Sequence, residues 1–216
     1  MKRQRGFTII EIMVAVSVIM VLASMLFLGA RYMTSSAKRD KTRTVLQSLR
    51  GMLTERESAT DAKRTRDDVD NVYRTGYPAT ATLDVNNRII ITLPDASTLT
   101  SVDEGVPARY TSTPIRATQD VMQLLLATPS NKTTLAGLPA ELMMKSAAGS
   151  PMSPTVLTDG YGYPIIVCPG RGLANVSING GALQTITATD GKPFFASPGP
   201  DGNFQTGDDN VYSFSN

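Results

Sequence analysis

The chain has 216 residues, a formal net charge of +2, 41% hydrophobic and 19% charged residues; this suits one ordinary globular domain plus an anchor, and excludes a disordered chain or two large domains. It contains no histidine, no tryptophan and one cysteine, Cys168. The commonest general base and transition-metal ligand is therefore missing, no intrachain disulfide can form, and so small a net charge does not point to nucleic acid, so neither an enzyme nor a nucleic-acid binder is expected.

The first element is an apolar span. A basic cluster, Lys2, Arg3 and Arg5, precedes Gly6 and Phe7, and a glutamate stands at position 11. Ile12 to Ala30 then runs for 19 residues without a charge or a proline. As a helix it would cover about 28 Å, close to the ~30 Å hydrocarbon core of a bilayer. A carboxylate in that setting costs on the order of 2.5 to 3.5 kcal/mol, so Glu11 needs a reason. A secretory signal explains the basic cluster, but its apolar region is usually about 7 to 15 residues. The nearest small-x-small site, Ser35 to Ala37, also lies well past the span. A plain single-pass anchor explains the length and leaves Glu11 unexplained.

The stretch RGFTIIEIMVAVSVIMVLA resembles the type III signal of type IV pilins and their pseudopilin relatives. In that family a short basic leader ends in glycine, the mature chain starts at phenylalanine, and a glutamate follows at the fifth mature position. Here these are Gly6, Phe7 and Glu11. The resemblance implies cleavage after Gly6 and N-methylation of Phe7 by a prepilin peptidase, leaving 216 − 6 = 210 residues. It also implies a single-pass protein of the bacterial inner membrane with its C-terminal domain in the periplasm. Counting positive charges does not give that orientation, because Arg31, Lys38, Arg39, Lys41 and Arg43 follow the span. Physically, cleavage creates an ammonium on Phe7 one helical turn from Glu11. A carboxylate at a helix N-terminus is also favoured by roughly 0.3–1 kcal/mol through the macrodipole. In a filament the family expectation is that Glu11 meets the Phe7 amine of a neighbouring subunit.

No proline precedes Pro78, and Val45, Leu46, Leu49, Met52 and Leu53 recur at three- and four-residue spacing. One long helix is therefore expected from about Thr8 to about Asn71, with Gly29 and Gly51 as soft points. Its membrane part is residues 7–30 and its amphipathic part 31–75. Between Arg31 and Arg66 stand ten Lys or Arg against four Asp or Glu. This run is expected to be a solvated face, with contacts to neighbouring subunits or anionic lipid heads as the alternative.

From Gly76 a globular domain is expected to 216. TATLDV and RIIITL read as strands joined by a two-residue turn at Asn86-Asn87. TQDVMQLLLATP reads as a short helix capped by Thr118 or Asp120 and ended by Pro129; GLPAELMMKSAAGSP reads as a weaker helix whose Met143 and Met144 fill the core. DGYGYPIIVCPG is a turn, a strand holding Cys168 as a buried free thiol, and a second turn. GGALQTITATDGKPFFASPGPDG gives two further strands broken at Asp190-Gly191.

In GPDGNFQTGDDN, Asp201, Asp208 and Asp209 crowd a glycine-rich loop, and no basic residue follows Lys192. Either the loop is a solvated turn or a cation lies among the carboxylates, with Gly202 and Gly207 letting the backbone fold back. It is no EF-hand: counting from Asp201, the sixth position is Thr206 and the twelfth Tyr212. DGYGYPIIVCPG with FFASPGPDGNFQTGDDNVYSF is similar to the C-terminal end of the major (G-type) pseudopilin of type II secretion systems, whose loop binds calcium. Carried over by motif, that resemblance implies Ca²⁺ held by Ser197, Asp201, Asp208 and Asp209 with loop carbonyls, in a loop spanning 196–212. Many pilins close this region with a disulfide, which one cysteine forbids here. Position 160 departs from the pattern, being glycine where proline is usual, and residues 79–116 read as an insertion.

The fold expected is α+β and pilin-like: a long N-terminal helix packed on a small antiparallel β-sheet domain. The function expected is that of a pseudopilin, a structural subunit that polymerises with itself and other pseudopilins at an inner-membrane assembly platform to drive protein export. The alternatives are a type IV pilin or competence-type minor pilin and, further off, a membrane-anchored enzyme or binding protein.

Overall fold

The computed structural model describes residues 9–76, 81–83, 89–92, 113–144 and 155–214. The chain divides into two compact units, residues 1–38 and 39–216. Helix α1, Ile9–Thr60, begins in the first unit, where its apolar side chains from Ile9 to Phe27 are exposed. The hydroxyls of Ser17 and Ser24 donate to the carbonyls of Met13 and Met20, each at 2.8 Å. That back-bonding satisfies both hydroxyls on the apolar surface.

In the second unit Val45, Leu46, Leu49, Met52 and Leu53 of α1 are buried, as their spacing predicts. They share one core with Val121, Met122 and Leu125 of α3 (Thr113–Leu126) and with the strands β3 (Ile166–Cys168) and β6 (Phe194–Ser197). The helix does not reach Asn71 unbroken. It runs through Gly29 and Gly51 and stops at Thr60; α2, Ala62–Asn71, follows, then a π-helical turn, Val72–Gly76. The break falls on Asp61, at φ 122° and ψ 140°. Asp61 keeps its own helical bond to the Glu57 carbonyl and offers its carbonyl to Thr65, so one residue turns the chain at the cost of a strained backbone. The turn buries Thr65, Val69 and Tyr73, spaced four apart on one face.

The basic run is only in part a solvated face. Arg56 is buried, its guanidinium bonded at 2.7 Å both to Asp68 of α2 and to the Leu124 carbonyl of α3. Arg50 donates to the Ser213 carbonyl, and Lys41 pairs with Glu141. Arginine suits the buried position because its planar fork serves two acceptors at once.

Helix α3 starts at Thr113, earlier than expected, so Thr118 and Asp120 lie inside it and neither is an N-cap. Pro129 does not end that helix; it opens α4, Pro129–Ala136, where its missing N–H costs nothing. Asn131 of α4 is buried and donates to the carbonyls of Met52 and Leu125, tying α4 to α1 and α3. The weaker helix around Met143 is a single 3₁₀ turn, Ala140–Leu142, with Met143 bridged to Leu157 and Met144 buried.

Among the described residues the strands form two sheets. The first has the order β1-β2-β4-β5, from Ala81–Leu83, Ile89–Thr92, Leu173–Ser177 and Leu183–Ile186. β1 and β2 pair antiparallel as expected, but the register Leu83↔Ile89 is not the one that a two-residue Asn86-Asn87 turn sets; those asparagines lie outside the described residues. β2 pairs parallel with β4, so strands of the expected insertion are built into the sheet and the sheet is mixed. β4 was not expected as a strand. The second sheet, β3-β6-β7, is antiparallel, with β7 at Val211–Tyr212, and packs into the core. Cys168 is a buried free thiol, and burial pushes its pKa well above the usual range. Maleimide should accordingly leave the folded chain unmodified and label it fully in denaturant; labelling at the rate of a free peptide thiol would contradict this packing.

Candidate assembly segment and C-terminal aspartate loop

The N-terminal site is built on α1. Glu11 lies in its first turn and is exposed, on a helix whose neighbouring side chains are apolar and exposed as well. Gly6 and Phe7 lie outside the described residues. Among the described residues α1 is the one helix long and apolar enough to cross a membrane, and none of its apolar window is buried within the protein.

The C-terminal site is the connection between β6 and β7. Ser197 pairs with Val211 at the mouth of this hairpin, so the two ends of the loop are held together by the sheet. A Cβ on Gly199 would run into the Asp209 carbonyl, and Gly199 and Gly202 both have positive φ; the backbone closes in a way only glycine allows. The four side chains expected as ligands are placed as follows. Ser197 is fully buried, its hydroxyl donating to Asp159 Oδ2 at 2.7 Å and accepting from the Gly199 amide. Asp201 is exposed and accepts from the Asn203 amide at 2.9 Å and from the Thr206 hydroxyl. Asp208 is exposed and accepts from the Asn179 amide at 2.6 Å, which ties the loop to the β4–β5 turn. Asp209 is exposed, with its backbone against Gly199. The hairpin therefore brings 197–201 beside 208–209, while among the described residues no three acidic side chains gather into one cluster.

A calcium ion needs six to eight oxygens, and carboxylates with loop carbonyls are the right chemistry. One detail fits such an ion. Asn210 Oδ1 is buried and accepts no hydrogen bond among the described residues, although its Nδ2 serves the Phe204 carbonyl and the Tyr212 hydroxyl. Burial pushes the Tyr212 hydroxyl pKa up to about 12, against the pull of Asn210.

Asp159 is the residue that the sequence reading did not single out. It is buried at the head of the DGYGYP turn; its Oδ1 accepts from the amides of Tyr161 and Tyr163, and its Oδ2 takes the Ser197 hydroxyl. Burial pushes its carboxyl above the ordinary aspartate range, opposed by those same donors. The signal available was an Asp-Gly turn, which marks a turn and says nothing about a partner 38 residues away. The glycine at 160 also finds its reason: its amide donates to the buried Thr42 hydroxyl of α1, a bond that proline could not make.

The family model for the prokaryotic N-terminal methylation motif matches residues 1–27. The chain carries this motif. The match supports a type IV pilin-like protein that is processed by a prepilin peptidase, and the exposed apolar half of α1 behind the motif suits a membrane anchor. The α+β architecture, a long N-terminal helix followed by small sheets, agrees with a pilin-like fold. No curated protein and no solved structure matches the chain.

Proposed function

We propose that the chain is a pseudopilin: a subunit cleaved after Gly6, methylated on Phe7 and polymerised at the bacterial inner membrane into a type II secretion pseudopilus that drives proteins out of the periplasm. The observation that carries this reading is the methylation motif at residues 1–27 heading a 52-residue helix whose far half packs into a separate α+β unit. A filament subunit needs that division, an exposed apolar end to polymerise and a folded end to present. A second reading, a type IV pilin or a competence-type minor pilin, is favoured by β1 and β2, which add strands that the major pseudopilin pattern does not call for. A deletion strain separates the two. Loss of a defined set of exported proteins with surface fibres intact supports the pseudopilin; loss of fibres with export intact supports the pilin and removes the secretion role.

The loop at 196–212 is read as a calcium site with Asp201, Asp208 and Asp209 as carboxylate ligands, Ser197 as a hydroxyl ligand and loop carbonyls completing the shell. The hairpin closure at Ser197↔Val211 and the buried acceptor of Asn210 support it. Asp201 and Asp208 would give up backbone donors to the ion. At a calcium concentration of a hundred times Kd, stabilisation of about 2.7 kcal/mol is expected. A fragment of residues 39–216, which holds all of the hydrophobic core among the described residues, should melt several degrees higher in calcium than in chelator. Asp201→Ala should abolish the difference. Equal melting temperatures for the parent fragment in both conditions would remove the metal from this account.

A further inference from the structure

We propose that an arginine stripe on α1, made of Arg39, Arg43 and Arg50, is a docking surface for a second copy of this chain, whose Asp201, Asp208 and Asp209 it receives. The inference rests on the filament reading above and names a contact between globular units which that reading leaves open. It requires no ion in the loop.

The stripe follows from helical spacing. Steps of four and seven residues fall close to whole turns, so the three side chains leave α1 within a strip about 40° wide. All three residues are exposed, beside the face that buries Val45, Leu46 and Leu49. Arg50 uses one N–H on the Ser213 carbonyl at 3.3 Å. The side chains of Arg39 and Arg43 have no ion pair and no hydrogen bond among the described residues. Lys41 and Arg56, by contrast, find Glu141 and Asp68 within the chain.

The loop is the converse. Asp201, Asp208 and Asp209 are exposed, and no basic residue follows Lys192. Asp201 and Asp208 accept from two backbone amides and a hydroxyl, all of them neutral. Each folded unit of residues 39–216 thus carries a cationic patch and an anionic one that its own fold does not join. A contact between two stripes would set arginine against arginine. A contact between unlike patches is heterologous: a copy that docks still has its other patch free, so the contact can extend into a filament.

Anionic lipid headgroups suit the charge of the stripe but not its position. Arg43 and Arg50 stand 43 − 30 = 13 and 50 − 30 = 20 residues beyond the apolar run. That is about 20 and 30 Å of helix, against a screening length of about 8 to 10 Å. Exposed ion pairs are individually weak and are screened by salt. The contact therefore sets register and speeds docking rather than supplying most of the affinity.

Assembly of the full chain in cells, read by cross-linking, tests this with two reversed chains. One carries Arg39→Glu and Arg43→Glu, the other Asp208→Lys and Asp209→Lys. Each alone should be cleaved like the parent and should assemble at least about tenfold less. Expressed together they should recover to within about threefold of the parent, because the intact loop of the first meets the intact stripe of the second and the two reversed patches also attract. Arg43→Lys keeps the charge and supplies a reading that no misfolding can blur. In its assemblies a carbodiimide should couple position 43 to Asp201, Asp208 or Asp209 of a neighbouring copy. Assemblies in which position 43 couples to none of the three overturn the inference, and so does assembly indifferent to both reversals. Arginine reversal that releases the chain from phosphatidylglycerol vesicles, with loop reversal harmless to assembly, gives the stripe to headgroups instead. A parent chain that forms no assemblies removes the filament reading and this contact together.

Discussion

Glu11→Ala should yield a protein that is still cleaved after Gly6 and anchored, but that no longer assembles. Processing depends on the leader and its glycine, which the substitution leaves alone, so mass spectrometry should find the same mature N-terminus in variant and parent. Assembly is different. If Glu11 meets the Phe7 ammonium of a neighbouring subunit inside a helix bundle, removing it leaves a charge uncompensated in an apolar setting. Losing one partner of such a pair costs about 3–5 kcal/mol per contact, roughly two to four orders of magnitude in the association constant. Assembled material in a shear or cross-linking assay should fall at least a hundredfold, and Glu11→Gln, with the size kept and the charge gone, should fall nearly as far. Normal filaments from either variant would show that the glutamate is only a polar residue at the start of an apolar helix.

Tyr73→Ala should be among the most damaging changes to the globular unit, at about 3–5 kcal/mol, in the range of other large-to-small aromatic truncations. Tyr73 is fully buried, and its hydroxyl donates to the Val167 carbonyl at 2.6 Å. Val167 is the middle residue of β3, an edge strand of its sheet, and its amide donates to the Thr118 hydroxyl of α3 at 2.8 Å. The free side of a buried edge strand is thus satisfied by two side chains from two helices instead of by another strand. Unpaired there, each backbone group would cost about 1–3 kcal/mol. Tyr73→Phe and Thr118→Val each remove one partner at nearly constant volume, and each should lower stability by about that amount. Because both bonds hold Val167, the double variant should depart from the sum of the two single effects. Urea denaturation of residues 39–216 measures this. A Tyr73→Phe midpoint equal to the parent's would mean that the Val167 carbonyl finds another donor and that the packing of the ring carries the site.

How far the fold was legible varies element by element. The stripe Val45, Leu46, Leu49, Met52 and Leu53 was readable because a helix repeats its buried face every three to four residues and these side chains all meet one core. The strands flanking Asp190-Gly191 were readable from turn chemistry. The break at Asp61 was not: neither glycine nor proline stands there, and what turns the chain is the burial of Thr65, Val69 and Tyr73 together with the Arg56–Asp68 pair. Thr118 has good N-cap chemistry, yet it sits within α3, its hydroxyl donating to the Pro114 carbonyl and accepting from Val167. β4 was missed because LANVS is weakly patterned; its place comes from parallel pairing with β2, some eighty residues earlier in sequence.

The sequence by itself determined what depends on neighbours along the chain. It set the methylation motif with Glu11, the apolar helix behind it, the amphipathic half of α1, and an aspartate loop rich in glycine. Each is a matter of local composition or of helical period, and needs no partner to be recognised. Only the tertiary structure decided the pairings between distant residues. These are Asp159 with Ser197, the Gly160 amide with Thr42, Arg56 with both α2 and α3, and Val167 between Tyr73 and Thr118. The physical reason is common to all of them. A buried polar group must find a partner wherever packing puts one, and that choice is made by the geometry of the finished core rather than by any periodicity in the chain.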